Sequence, residues 1–233
     1  MKSSTLLTIT RVSIASLVVA VVVVAGLVLD TVMNPRNAGT PTTEGERTIL
    51  VSERAVQAAP DDPEARSRLA AAYLSVGRNA DALREAEYAI RLDPELGNGY
   101  LVKGMVERAL GRYEQAVASL QQALGLGENE TADWRFLLQM ELAEAYKGLD
   151  DLESARDALT EALASFPEAA NIYYERGRIA EQMGDLEFAL QDFQTVLTFI
   201  PDDEAATEAI ARVSASIEAS PSLEASPAPQ GSE

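Results

Sequence analysis

Three pairs of adjacent carboxylates, Asp61–Asp62, Asp150–Asp151 and Asp202–Asp203, are the residues of this chain best suited by type to chemistry. Two neighbouring carboxylates can share a proton, act in turn as acid and base, or ligate a divalent cation. The usual companions of such chemistry are lacking from the sequence. There is no histidine, the ordinary general base near neutral pH and the commonest metal ligand, and no cysteine to act as thiolate or disulfide. No stretch has the spacing of a calcium loop, a Walker phosphate loop or a dinucleotide fingerprint. Each acidic pair stands instead at a turn just ahead of a helical pattern. There an aspartate accepts hydrogen bonds from the first free amides and meets the positive end of the helix dipole. The pairs are therefore expected to cap helices. Catalysis is not expected, and neither is a cofactor, a metal or a small-molecule substrate. Asn129–Glu130–Thr131 matches a glycosylation acceptor, a three-residue pattern that matters only in a host with that machinery.

The helices those aspartates precede follow one grammar. GRNADALREAEYAI (77–90), GRYEQAVASLQQAL (111–124), DDLESARDALTEAL (150–163) and GDLEFALQDFQTVL (184–197) each have alanine in the sixth place: Ala82, Ala116, Ala155 and Ala189. The thirteenth place holds Ala89, Ala123, Ala162 or Val196, and the tenth Ala86, Leu120, Leu159 or Phe193. Spacings of four and three put these positions on one helix face. Gly77 to Gly111 and Asp150 to Gly184 both span 34 residues, and Gly111 to Asp150 spans 39. A period in this range marks stacked units of helix, turn and helix.

Registered on their second helices, the units run 63–96, 97–130, 136–169 and 170–203, and Pro94, Pro167 and Pro201 stand near the ends of three of them. The segment ending at Pro60 reads as a lone second helix of a half repeat. A capping helix is expected over 203–218, with Ala205, Ala209, Ile210 and Val213 facing inward. Five extra residues before the third unit fall in GENETADWRF. Thr131 or Asp133 can cap a lengthened helix there. Trp134, the one tryptophan, either plugs the junction or meets a partner.

The pattern resembles tetratricopeptide repeats. That family places a small residue at the eighth position, matched by Ala70, Gly104, Ala143 and Gly177, and a large one at the eleventh, matched by Tyr73 and Tyr146 but not by Glu107 or Ala180. The resemblance implies an all-α helical repeat solenoid of about four helix pairs over residues 44–219, with the half repeat before it and the capping helix after it. It also implies a groove, lined by positions two, five, six, nine, twelve and thirteen of each first helix, that holds a peptide segment of a partner protein. By register the groove residues are Arg68, Leu101, Met105, Arg108, Met140, Glu144, Lys147, Tyr174 and Arg178, with Leu74, Val102, Glu141 and Glu181 beside them. The clamp by which some relatives grip the terminal carboxylates of heat-shock chaperones is absent, because its Lys, Asn and Arg places hold Ser67, Ala71, Val102, Leu137 and Glu141.

Charge and the chain ends complete the picture. The net charge of −18 resides in the central segment, since residues 1–43 sum to +2 and residues 219–233 to −2. Such a segment repels phosphate backbones, so no nucleic-acid partner is expected, and it favours cationic ones. Residues 12–29, VSIASLVVAVVVVAGLVL, are uncharged and cover about 27 Å as a helix, close to the hydrocarbon thickness of a bilayer. They are expected to anchor the chain in a membrane, with a cleaved signal peptide as the alternative. Lys2 and Arg11 before the run place the N-terminus in the cytoplasm and the repeats outside it. Residues 30–43 read as a linker and 220–233 as a disordered tail. The expected function is a membrane-tethered scaffold for protein–protein interaction, an accessory or assembly factor of a cell-envelope complex. A self-associating structural protein and a secreted repeat protein are the alternatives.

Overall fold

A computed structural model describes residues 43–127 and 131–219. The expected anchor at 12–29, the linker up to residue 42, the tail at 220–233 and Asn129–Glu130 of the acceptor pattern lie outside the described residues. The chain divides into two compact units, Met1–Leu50 and Val51–Glu233.

The described residues form helices and no strands. α1 is Glu44–Ala58. Four helix pairs follow: α2 (Pro63–Ser75) with α3 (Asn79–Leu92), α4 (Gly97–Ala109) with α5 (Tyr113–Leu126), α6 (Ala132–Gly148) with α7 (Leu152–Ser165), and α8 (Ala170–Met183) with α9 (Leu186–Phe199). The last helix is α10 (Glu204–Ala219). None of these described helices is long and apolar enough to cross a membrane.

Short side chains cap six of the described helices. α1 opens with a reciprocal cap, in which the Glu46 amide donates to Thr43 Oγ1 and the Thr43 amide to Glu46 Oε2, each at 3.2 Å. Asp62, Asp151 and Asp203, the second member of each acidic pair, accept from the amides of Glu64, Ser154 and Ala206 at 2.9, 3.1 and 2.8 Å. The second carboxylate of each pair thus does the capping work expected of the pair. Asp150 does something else: its φ of 59° puts it in the left-handed region. The other three pairs turn at Gly77, Gly111 and Gly184, with φ between 71° and 80°. Aspartate tolerates this conformation better than most residues with a side chain, which explains why the third unit lacks the glycine.

Close approach between helices explains the small positions. Ala70, Ala143, Ala82, Ala116, Ala155 and Ala189 are fully buried. A Cβ on Gly104 would lie 2.6 Å from Leu120 Cγ, and one on Gly177 would lie 2.9 Å from Phe193 Cε1. Where the tenth place of the second helix is large, the eighth place of the first gives up its methyl group; the first unit pairs Ala70 with Ala86 instead. The Ala143 and Leu159 pair shows that the exchange is not obligatory. Full burial of a side chain such as Phe193 or Leu120 stabilises by about 1.5–3 kcal/mol.

One apolar core runs from Leu101 on α4 through Leu120, Leu138 and Leu159 to Ile179 on α8. A second joins α8 and α9 to α10 through Ala180, Phe193, Ala209 and Val213. Of the residues of α10 expected to face inward, Ala209 and Val213 are buried and Ile210 packs against that core, whereas Ala205 is exposed and its neighbour Ala206 is buried instead. The buried stripe, Ala206, Ala209 and Val213, still keeps spacings of three and four. At the irregular junction Thr131 caps α6, accepting from the Trp134 amide at 3.2 Å. The Trp134 ring lies so close to Gly127 that a Cβ there would stand 2.3 Å away, and it also packs beside Gly97. Its indole nitrogen is buried without a hydrogen-bond partner among the described residues. Trp134 plugs the junction.

Candidate functional site

The expected groove residues separate into three groups. Leu101 and Val102 are not part of a surface: at 2% and 4% exposure they belong to the interior, and Leu101 is a member of the main core. The register errs there because α4 packs against both α2 and α6, which covers the face that a more open repeat would leave free. Arg68 is exposed, within 4.0 Å of Glu64 and 3.8 Å of Asp62. Met105 is half-buried against the core.

A second group forms ion pairs that staple successive repeats. Arg108, twelfth in its unit, donates from Nε and Nη2 to the two oxygens of Glu141, sixth in the next. Lys147, again twelfth, lies 3.6 Å from Glu175, again sixth, and donates to Glu144 at 2.8 Å. Arg212 of α10 donates from Nε and Nη2 to Glu181, the twelfth residue of the fourth unit, at 2.7 and 2.9 Å. At the first junction the equivalent places are apolar, Leu74 and Val102. Arg178 pairs with Glu175 along its own helix at 3.2 Å. The hydrogen bond to Glu141 holds the Arg108 guanidinium above the ordinary arginine range, and those from Arg212 hold the Glu181 carboxyl below the ordinary glutamate range despite partial burial. The basic residues expected to wait for a partner are thus engaged within the chain. The signal was present in the sequence, as a basic twelfth position followed by an acidic sixth position one unit later.

The third group makes a cavity. Met140 on α6 and Tyr174 on α8, both fifth in their units, line a hollow of about 360 Å³ together with Ile172, Val196, Ile200 and Ala205. Asn171, Glu175 and Asp203 supply its polar groups. First helices approach each other closely at α2 with α4 and at α4 with α6, and no comparable approach joins α6 to α8. The hollow occupies that wider interval. Tyr174 is steadied by the tilted Phe193 ring, 5.5 Å between centroids. Ile200, 48% exposed, is an apolar side chain left at the rim. Val196, Ile200 and Ala205 lie on the second helix, the turn and the cap, so a register confined to first helices misses them. Asp203 is committed to capping α10 through the Ala206 amide. This arrangement can take up an apolar side chain and present a few polar groups around it.

A larger hollow of about 530 Å³ is lined by Leu124, Gly127, Arg135, Gln139 and Glu161 among others. The five places of the chaperone-tail clamp are occupied by side chains that cannot grip a carboxylate. Ser67 is fully buried, Val102 is buried, Leu137 is 41% exposed and apolar, Ala71 is small, and Glu141 is held by Arg108.

Comparison with known proteins points one way. Two family profiles, each described as tetratricopeptide repeat, match residues 98–129 and 140–204. A TPR repeat-containing protein of Pseudomonas aeruginosa, PA4667, is 29% identical over 146 residues, which is 60% of this chain and 24% of that protein. Hsp70-Hsp90 organizing protein 2 of Arabidopsis thaliana is 37% identical over 70 residues, 30% of this chain and 12% of the relative. The chain thus spans a quarter or less of the length of these curated relatives. Among solved structures, YrrB, described as a TPR protein with an unusual peptide-binding site, superposes with a TM-score of 0.62 at 22% identity over 72% of this chain and 84% of that one. MamA protein gives 0.59 at 20% identity over 68% and 84%. Both likenesses are to the fold.

Proposed function

Because the chain belongs to the tetratricopeptide repeat family, we propose that it is a scaffold that holds a segment of a partner protein in the hollow between α6 and α8. One observation carries this reading: Met140 and Tyr174, equivalent residues of successive first helices, meet at one cavity with Ile172, Val196, Ile200 and Ala205, rimmed by the polar groups of Asn171, Glu175 and Asp203. Anchor side chains seated in such pockets dominate the energetics of most interfaces. The repeat segment's net charge of −18 favours a partner with cationic residues around an apolar anchor. Similarity to Hsp70-Hsp90 organizing protein 2 does not bring the chaperone-tail specificity with it, because none of the five clamp places has a suitable residue.

The partner is met at a membrane. The uncharged run at 12–29 tethers the chain, and Lys2 and Arg11 ahead of it set the repeats on the extracytoplasmic side. In that position the scaffold serves the assembly of a cell-envelope complex.

A photo-crosslinking residue introduced at Tyr174 of the full chain in its own cells tests the reading. Discrete adducts are expected from Tyr174 and from Met140 and not from Arg84, which is exposed and pairs with Asp81 on α3. Equal labelling from all three positions would refute the hollow as the binding site.

A further inference from the structure

Four arginines of this chain are held in the same way, each by an aromatic ring and a carboxylate. Arg66 lies 4.3 Å from the Tyr88 ring centroid and 2.8 Å from Glu85. Arg78 lies 4.2 Å from the Tyr73 centroid and 2.7 Å from Asp81. Arg156 lies 5.6 Å from the Phe188 centroid and 3.4 Å from Asp185. Arg176 lies 5.0 Å from Phe188 and 5.4 Å from Tyr173, and meets Asp192 through two hydrogen bonds of 2.8 and 2.7 Å. The ring face attracts the cation while the carboxylate takes its N–H groups.

A fifth set of the same parts lacks its cation among the described residues. Phe136, at the start of α6, meets Phe166, at the end of α7, edge to face with centroids 5.0 Å apart. The two rings, with Asp133, Glu168 and Ala169, line a hollow of about 340 Å³. Asp133 and Glu168 are exposed, and neither has an ion-pair partner among the described residues. Arg135, the nearest cation in sequence, lines a different hollow, beside Gln139 and Glu161. We infer that the Phe136–Phe166 hollow is a second docking point, which takes an arginine side chain of a basic partner protein against the rings and between the two carboxylates.

Arginine is selected over lysine because its planar guanidinium stacks on a ring and offers N–H groups to two acceptors at once, whereas an ammonium is a strongly hydrated point charge. A surrounding segment with a net charge of −18 raises the local concentration of any cationic chain. The site is separate from the hollow of Met140 and Tyr174, with which it shares no lining residue.

The test uses an acetylated and amidated peptide, Gly-Ser-Arg-Ser-Gly, titrated into the full-length chain while backbone amide shifts are followed. Lysine and citrulline versions of the peptide run in parallel. The arginine peptide is expected to give saturable shifts at Phe136, Phe166 and Glu168 and to bind at least fivefold more tightly than the lysine peptide; the citrulline peptide should give none. Phe166→Leu, which keeps an apolar side chain without the ring, and Glu168→Gln at an exposed position should each weaken binding at least fivefold. Tyr174→Ala should leave it unchanged, so that failure here is distinguishable from failure of the groove. Equal affinity for arginine and lysine, undiminished by Phe166→Leu and Glu168→Gln, would show diffuse electrostatics and overturn the assignment. Tighter probe binding by an Arg11→Gln/Arg36→Gln chain would show that the chain's own N-terminal cations compete for the hollow, which would also overturn assignment to a partner.

Discussion

Asp150 occupies a backbone conformation that its three counterparts give to glycine, and its φ of 59° carries a cost that Gly77, Gly111 and Gly184 avoid. Asp150→Gly is expected to raise stability by up to about 1 kcal/mol in urea unfolding, and Gly111→Ala to lower it by about 1 kcal/mol. A loss on Asp150→Gly would mean that the carboxylate contributes more than the strained turn costs. Packing makes a second demand on single residues. Gly104→Ala drives a methyl group to 2.6 Å from Leu120 Cγ, and Ala116→Leu adds volume at a fully buried contact. Each should cost about 1–3 kcal/mol. Gln122→Leu, at an exposed position, should fall within about 0.5 kcal/mol of the native chain. Gln121 is a poorer control, since its side-chain amide donates to Tyr146 Oη at 3.0 Å across to α6. If Gly104→Ala and Gln122→Leu melted together, the repeat register would be wrong.

At the scale of elements, α10 closes the array through an apolar stripe and through Arg212, which holds Glu181. The folded-state pKa of Glu181 lies below its unfolded value. The contribution of the pair is therefore complete above the unfolded value, about 4.3, and is lost as pH falls through the lower folded value. The difference in melting temperature between the native chain and Glu181→Gln should be constant from pH 8 to 6 and close below about pH 4.3. A difference that persisted to pH 3 would assign the effect to packing. The helices themselves were legible because small residues at the sixth and thirteenth places of each second helix, alanine at all but Val196, recur with a spacing of 34 residues that only the five-residue insertion before the third unit interrupts. The aspartate caps were legible for a local reason, the position of a short acidic side chain ahead of a helix. At the start of α10 the inward alanine was not, since Ala205 and Ala206 differ in nothing but the side of the helix on which they fall. Nor was the burial of Leu101, which follows from how closely α2 and α6 flank α4. The ion pairs between units were readable only after the units themselves had been aligned.

At the scale of the whole chain, a proposed membrane tether precedes an acidic repeat segment. A reporter enzyme fused after residue 219 should be active only outside the cytoplasm, because the basic residues Lys2 and Arg11 precede the apolar run. Activity of a cytoplasm-dependent reporter at the same place would contradict the orientation. The central claim is narrower and concerns the hollow between α6 and α8, where Met140 and Tyr174 are brought together from residues 34 positions apart. The basic side chains of the expected groove, Arg108 and Lys147 above all, are engaged in holding the repeats, so affinity should reside in the apolar anchors. The most direct measurement is the dissociation constant of the crosslinked partner's segment for the native chain and for Met140→Ala, Tyr174→Ala and Arg84→Ala. The account predicts at least a tenfold loss at Met140 and at Tyr174, about 1.4 kcal/mol or more each, and less than a twofold change at Arg84. Equal losses at all three positions, or none at Met140 and Tyr174, would contradict it.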